Sequence, residues 1–141
     1  MMYGDQITEA LKRDPITRRT FGGVLAADEL RTFVGRRPKL FVVNTDVRGM
    51  PGKHWTAFYF PKMGPSEFFD PLGHRPEHYR QTFKSILIKL GPNYTFNKVR
   101  VQPKNTRTCG QYCVQFAKLR CRGWPMKRIV VYLQRHPIVY D

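Results

Sequence analysis

The sequence predicts an α+β fold, with a small, mostly antiparallel sheet packed against helices. Three observations carry that expectation. Residues 39–44 (KLFVVN) form an apolar run of strand length. Residues 54–60 (HWTAFYF) and 67–70 (EFFD) are two aromatic segments joined by a Pro/Gly-rich connection. Residues 76–90 (PEHYRQTFKSILIKL) have helical periodicity.

The elements follow in chain order. Residues 5–12 suit a short helix stopped near Pro15, and residues 27–34 a second, with Asp28 near its start and Leu30, Phe33 and Val34 on one side. The buried strand 39–44 comes next. Pro61, Gly64 and Pro65 make strands 54–60 and 67–70 a hairpin. In 76–90, Pro76 fits the first turn and Tyr79, Phe83, Ile86, Leu87 and Leu90 share a face, before Gly91-Pro92 ends the helix. Residues 94–101 alternate like a further strand. A loop over 102–108 leads to a helix over 109–121 with Tyr112, Cys113, Phe116 and Leu119 on its apolar side. Trp124-Pro125 opens a last helix that runs to about Arg135. With 141 residues, the chain is read as one domain, 1–141, able to bury its own core.

Composition narrows the class. A chain 41% hydrophobic and 13% aromatic is globular rather than disordered. Its apolar runs, such as 129–133, are too short to cross a bilayer, and Met-Met-Tyr-Gly-Asp does not resemble a signal peptide. The expectation is a soluble intracellular protein with no membrane contact. Twenty-five Lys and Arg against ten Asp and Glu give a net charge of +15. Such a field attracts polyanions, so non-specific DNA contact through a basic surface is expected.

The three cysteines, 109, 113 and 121, are odd in number and close together along one predicted helix. A four-residue helical step is poor for a disulfide. The spacing also lacks a second cysteine pair for zinc, and His54, His74, His78 and His136 form no ligand repeat. No metal site is expected.

Other residues have the chemistry for a thiol site. Cys109 opens the predicted helix 109–121, where orphan N–H groups and the helix dipole stabilise a thiolate. His54 starts one strand of the hairpin and Asp70 ends the other. Alone, His54 fits a structural strand-end histidine and Asp70 a turn-former before Pro71. Once the strands pair, they become neighbours, as a carboxylate that orients an imidazole requires. Gln102 ends a strand seven residues before Cys109 and can return to it as an oxyanion donor, with Asn105 a competing donor on the same loop. Gly110 is read as giving a substrate backbone room. Cys113 reads as a buried small hydrophobe.

Four segments in order, "GKHW" (52–55), "FFDPLG" (68–73), "VQPKN" (101–105) and "TCGQYC" (108–113), resemble adenovirus endopeptidase (adenain)-like cysteine proteases. These share a clan with the SUMO and other ubiquitin-like-protein proteases. "FGGVLAADEL…VVNT" (21–45) is similar to the segment leading into the family's His strand, and the resemblance spans about residues 20–120. It implies a papain-like fold permuted so that the order is His, acid, Gln, Cys. Cys109 then becomes the nucleophile, His54 the general base and acid, Asp70 its orienting carboxylate, and Gln102 with the Cys109 N–H the oxyanion hole. Adenovirus enzymes often carry Glu at the acid position, whereas the ubiquitin-like-protein proteases use Asp. Trp55 matches the aromatic residue that narrows the substrate groove in relatives.

The resemblance further implies an endopeptidase that cleaves after Gly in viral structural precursor proteins, located in the virion and host nucleus. Stimulation by DNA or an activating peptide is implied in place of a cofactor. No cysteine lies between Asp70 and Cys109, so disulfide capture of an activating peptide, as in adenain, is not expected, and non-covalent addition to a sheet edge is the remaining form. The chain is read as a monomer. Two other functions fit: a protease of ubiquitin-like modifiers, and a basic nucleic-acid-binding protein with a vestigial protease fold.

Overall fold

Strand β2 (Lys39–Asn44) runs through the interior of a five-stranded sheet of order β1-β2-β3-β4-β5. A computed structural model describes residues 1–31 and 35–138. The two central pairings are antiparallel. β2 pairs with β3 (Trp55–Phe60), and β3 forms the expected hairpin with β4 (Ser66–Phe69). At each edge the neighbour is parallel: β1 (Phe21–Leu25) along β2, and β5 (Tyr94–Phe96) along β4.

Both faces of this sheet are buried, and the period-two alternation of side chains sorts them into two cores. Leu40, Val42, Ala57, Tyr59 and Phe69 face α1 (Gly4–Arg13), α4 (Cys109–Cys121) and α5 (Met126–Arg135). Val43, Phe58, Phe60 and Phe68 face Phe83, Ile86 and Leu87 of α3 (Gln81–Leu87). The second face is an aromatic cluster, in which Phe58 meets Phe68 and Phe83 edge-on, each at 5.1 Å.

Helix α4 is buried along most of its circumference, including Tyr112, Cys113, Phe116 and Ala117. Phe116 stacks on Phe69 at 4.5 Å and 4°. Helix α1 buries Ile7 and Leu11, and α5 buries Met126, Ile129, Val130 and Leu133, the spacing of an amphipathic stripe. Two ion pairs fasten this layer. Arg120 of α4 grips Glu67 of β4 through two 2.9 Å bonds, and Arg122 holds Asp14, just beyond α1, at 2.7 and 3.0 Å.

The structure departs from expectation in four segments. β1 is a strand that its glycines conceal from propensity. A Cβ on Gly22 would lie 2.5 Å from the Phe41 ring, and Gly23 takes φ +144° at a register shift, so the pairing needs both glycines. The expected helix 27–34 is a single 3₁₀ turn, Ala27–Glu29, capped by Glu29 Oε1 on Ala26 N, with Leu30 already extended. Phe33 and Val34 lie outside the described residues.

The expected helix 76–90 breaks into α2 (Pro76–Tyr79) and α3 at Arg80, which is extended at φ −152° and ψ 138°. Long-range bonds compensate: Arg80 Nε donates to Thr45 O, and the Tyr79 hydroxyl leaves the helix core for Asp70. Leu90 is exposed rather than buried. The strand expected over 94–101 ends at Phe96, because Asn97 turns its side chain to another loop and Lys98 takes φ +62°.

Candidate active site

The hairpin brings the first two site residues together. Ala57 pairs with Phe69, so continuing the register sets Thr56 opposite Asp70, with His54 one same-face step beyond. His54 Nε2 and Asp70 Oδ1 lie 2.6 Å apart, with both residues buried. The loop before His54 is built around Asp46, whose Oδ2 accepts from Gly52 N and Lys53 N, each at 3.0 Å. Gly52 takes φ +80° there.

Asp70 is fully buried, and both its carboxylate oxygens are occupied. Leu72 N also donates to Oδ1, while His74 N and the Tyr79 hydroxyl donate to Oδ2 at 2.9 and 2.6 Å. Burial pushes this carboxyl upward, but His54 and the other donors outweigh it and hold the group below its ordinary range. Tyr79 also stacks on the His54 ring at 5.6 Å and 30°. Nearby burial and the Asp70 carboxylate push the Tyr79 hydroxyl upward, so it serves as a donor.

Asn97 clips the acid's backbone in place. Its Oδ1 accepts from Asp70 N at 2.9 Å, and its Nδ2 donates to Asp70 O at 2.6 Å and to Val99 O at 2.9 Å. Pro71 O then accepts from both Val101 N and Gln102 N. Gly73 packs so tightly on the 99–100 backbone that a Cβ would lie 2.6 Å from Val99 C. The loop that carries the acid and the segment that carries Gln102 therefore form one hydrogen-bonded unit.

Cys109 is the first residue of α4, where backbone N–H groups lack intrahelical partners. Burial alone would raise its thiol. The hydrogen bond and charge of His54, with the N–H groups of Trp55 and Gly110, outweigh that and bring it below the ordinary range. For His54, burial favours the neutral ring, but Asp70 and Cys109 raise it to about 9. Asp70 occupies Nε2, which leaves the ring's other nitrogen available to the sulfur. Cys113 is fully buried and its thiol pushed well up, and burial raises Cys121 as well. All three cysteines are unbridged.

Gln102 joins the same site. Nε2 donates to Thr106 O at 2.9 Å, which leaves its second hydrogen for a ligand, and Oε1 is buried without a protein partner. His54, Gln102, Cys109, Asn105 and Tyr79 line one cleft of about 340 Å³. Asn105 sits at φ +61°, a left-handed conformation that its short polar side chain tolerates.

Two of the expected substrate-binding residues lie elsewhere. Trp55 borders an adjoining groove and donates its indole N–H to Met2 O at 3.0 Å. Gly110 packs instead of opening space: a Cβ there would lie 2.9 Å from Met2 Cβ and 3.4 Å from Ile7 and Trp55. Met2 of the N-terminal segment lies beside Gly110, whose N–H faces the sulfur. Tyr79 and Asn97 were not legible as site residues. The available signals were a hydroxyl-bearing ring on an otherwise apolar face and an Asn that interrupts an alternating strand.

The site has a definite pH signature. The thiolate–imidazolium pair exists above the depressed thiol value and below about 9. For a site that turns over substrate through this pair, the falling limb of kcat/KM is expected near pH 9, and Asp70→Asn should move it down by about 1–3 units. A pH–rate titration of both proteins checks this. The same sign governs stability. Because the folded-state imidazole is raised above 6.5, its contribution is complete below that value and is lost as pH rises through about 9.

No family model and no curated protein matches the sequence. Among solved structures, the fold matches two crystal structures of the ASFV pS273R protease. One aligns at TM-score 0.57 and 18% identity and the other at 0.61 and 19%. Both alignments cover all of this chain, and 68% and 67% of the respective protease chains. The likeness is one of fold.

Proposed function

We propose that this chain is a cysteine endopeptidase acting through a thiolate acyl-enzyme. The observation that carries the reading is the Cys109–His54–Asp70 constellation at the start of α4, with Gln102 in the same cleft. In this reading the Cys109 thiolate attacks the scissile carbonyl carbon. The carbonyl oxygen becomes an oxyanion held by Gln102 Nε2 and the Cys109 N–H. The His54 imidazolium gives its proton to the leaving amine as the C–N bond breaks, leaving a thioester. His54 then takes a proton from water, which attacks the thioester and releases the acid and the thiolate.

The fold shared with a viral protease and the adenain-like motifs support viral structural precursors as substrates, with cleavage after Gly. The +15 charge supports an enzyme held on nucleic acid, and stimulated by it, in the virion and host nucleus. A protease of ubiquitin-like modifiers is the second reading, favoured by Asp rather than Glu at position 70.

A panel of Gly-containing peptides, with and without DNA, tests the proposal, alongside a folded ubiquitin-like substrate. Cleavage after Gly that a thiol alkylator stops is the expected result. Turnover of the folded modifier alone would move the assignment to the second reading, and inertness in every condition would remove the enzyme. Gln102→Ala should lower kcat by roughly 10²–10³ with little change in KM, since the donor acts on the oxyanion. Steady-state kinetics on the best peptide measures it.

A further inference from the structure

Each of three catalytic positions has a cation just before it in sequence: Lys53 before His54, Arg100 two residues before Gln102, and Arg107 two residues before Cys109. The fold turns this pattern into one surface, because Lys53, Arg100 and Arg107 all line the cleft that holds the catalytic groups. All three are exposed, and among the described residues none forms an ion pair. The adjacent carboxylates are committed elsewhere. Asp70 is fully buried on His54 and Tyr79, and Asp46 accepts from the backbone of Gly52 and Lys53. Among the described residues, no Asp or Glu lines the cleft beside these cations. A few basic side chains elsewhere are paired, such as Arg120 with Glu67 and Arg122 with Asp14.

From this we infer a substrate class: the cleft selects peptides with Asp or Glu immediately flanking the scissile bond, held by Lys53, Arg100 and Arg107. The inference rests on the protease reading and deepens it. Three cations around a partly enclosed cleft raise the local concentration of an acidic segment, and an Arg fork can bind a carboxylate through two parallel bonds. A lysine-bearing segment meets like charge and no carboxylate, so it is disfavoured.

Matched peptides differing only by Glu, Gln or Lys beside the cleaved bond test the inference in two arms. One arm measures kcat/KM with the wild type. The other measures affinity by fluorescence anisotropy on the Cys109→Ala variant, which needs no turnover. The Glu peptide should be favoured over Gln by roughly 5–30-fold at low salt, from three exposed pairs of modest strength. The preference should collapse near 1 M salt, where the Debye length is about 3 Å. The triple variant Lys53→Gln/Arg100→Gln/Arg107→Gln should bring the ratio close to one, and single Arg107→Gln should lower it partway. Lys62→Gln, in the β3–β4 turn, should leave the ratio as it is.

Equal handling of Glu and Gln peptides at low salt overturns the inference, and so does a ratio that survives the triple variant. Competitive displacement by a short oligonucleotide, with no Glu preference, would assign the cations to nucleic acid and also overturn it. A Glu preference in the binding arm without any turnover would uphold the acidic-peptide surface while removing the protease reading, so the two failures are distinguishable.

Discussion

Cys109→Ala protein is expected to cleave no peptide, a loss of about 10⁶-fold in kcat, because the nucleophile and the residues that activate it act as one unit. The same variant should lose its reaction with iodoacetamide at neutral pH, read by intact-mass spectrometry. Cys113 cannot substitute, since it is fully buried one helical turn behind and its thiol is held well above the ordinary range. Cys121 is also raised, by burial at the far end of α4. The variant should remain folded, because the small Cys109 side chain contributes little packing and Gly110 continues to rest on Met2, Ile7 and Trp55. Persistent cleavage would place the nucleophile elsewhere. Labelling that moved to Cys113 would contradict the arrangement of the site.

Phe116→Ala is expected to have the largest effect on stability, about 3–5 kcal/mol. The ring is fully buried and lies parallel to Phe69 at 4.5 Å, in the seam between α4 and the sheet. Its removal leaves a cavity among Phe69, Tyr112 and their neighbours that closed secondary structure cannot collapse to fill. For a chain of this size the loss corresponds to a fall in Tm of roughly 10–15 °C, measurable by circular dichroism. Activity at low temperature should fall as well. Phe69 precedes Asp70 and Phe116 shares a helix with Cys109, so this stack sets the distance between the acid's strand and the nucleophile's helix. A change in Tm below about 1 kcal/mol equivalent would mean that the seam repacks.

The α+β class and most elements were legible because their signals are local. Alternating aromatics, the Pro/Gly connection over 61–65, and the stripe of Ile129, Val130 and Leu133 each act within a few residues. The site was legible for the same reason at one step removed. A tight hairpin fixes its own register, so the strand ends carrying His54 and Asp70 had to meet. The helix start that activates Cys109 is likewise a property of its own segment.

What escaped the reading depends on contacts far apart in the chain. Strand β1 pairs in parallel with β2 across an intervening turn, and its glycines look unfit for a strand until Phe41 is seen filling the space above Gly22. The break at Arg80 exchanges helical bonds for one from Arg80 to Thr45 and one from Tyr79 to Asp70, 35 and 9 residues apart in sequence. Asn97 ends a strand early in order to clamp Asp70, and Gly110 packs against Met2.

Local chemistry, with the resemblance of four short motifs, therefore pointed to the candidate residues and their order along the chain: His54, Asp70, Gln102, Cys109. Tertiary packing decided what holds them and what surrounds them, including the Tyr79 and Asn97 supports, the N-terminal segment over Trp55, and the ring of Lys53, Arg100 and Arg107 around the cleft. The physical reason is range. Periodicity, turns and helix ends are encoded between near neighbours, whereas a hydrogen bond across 27 residues, such as Asn97 to Asp70, leaves no periodic trace in either segment.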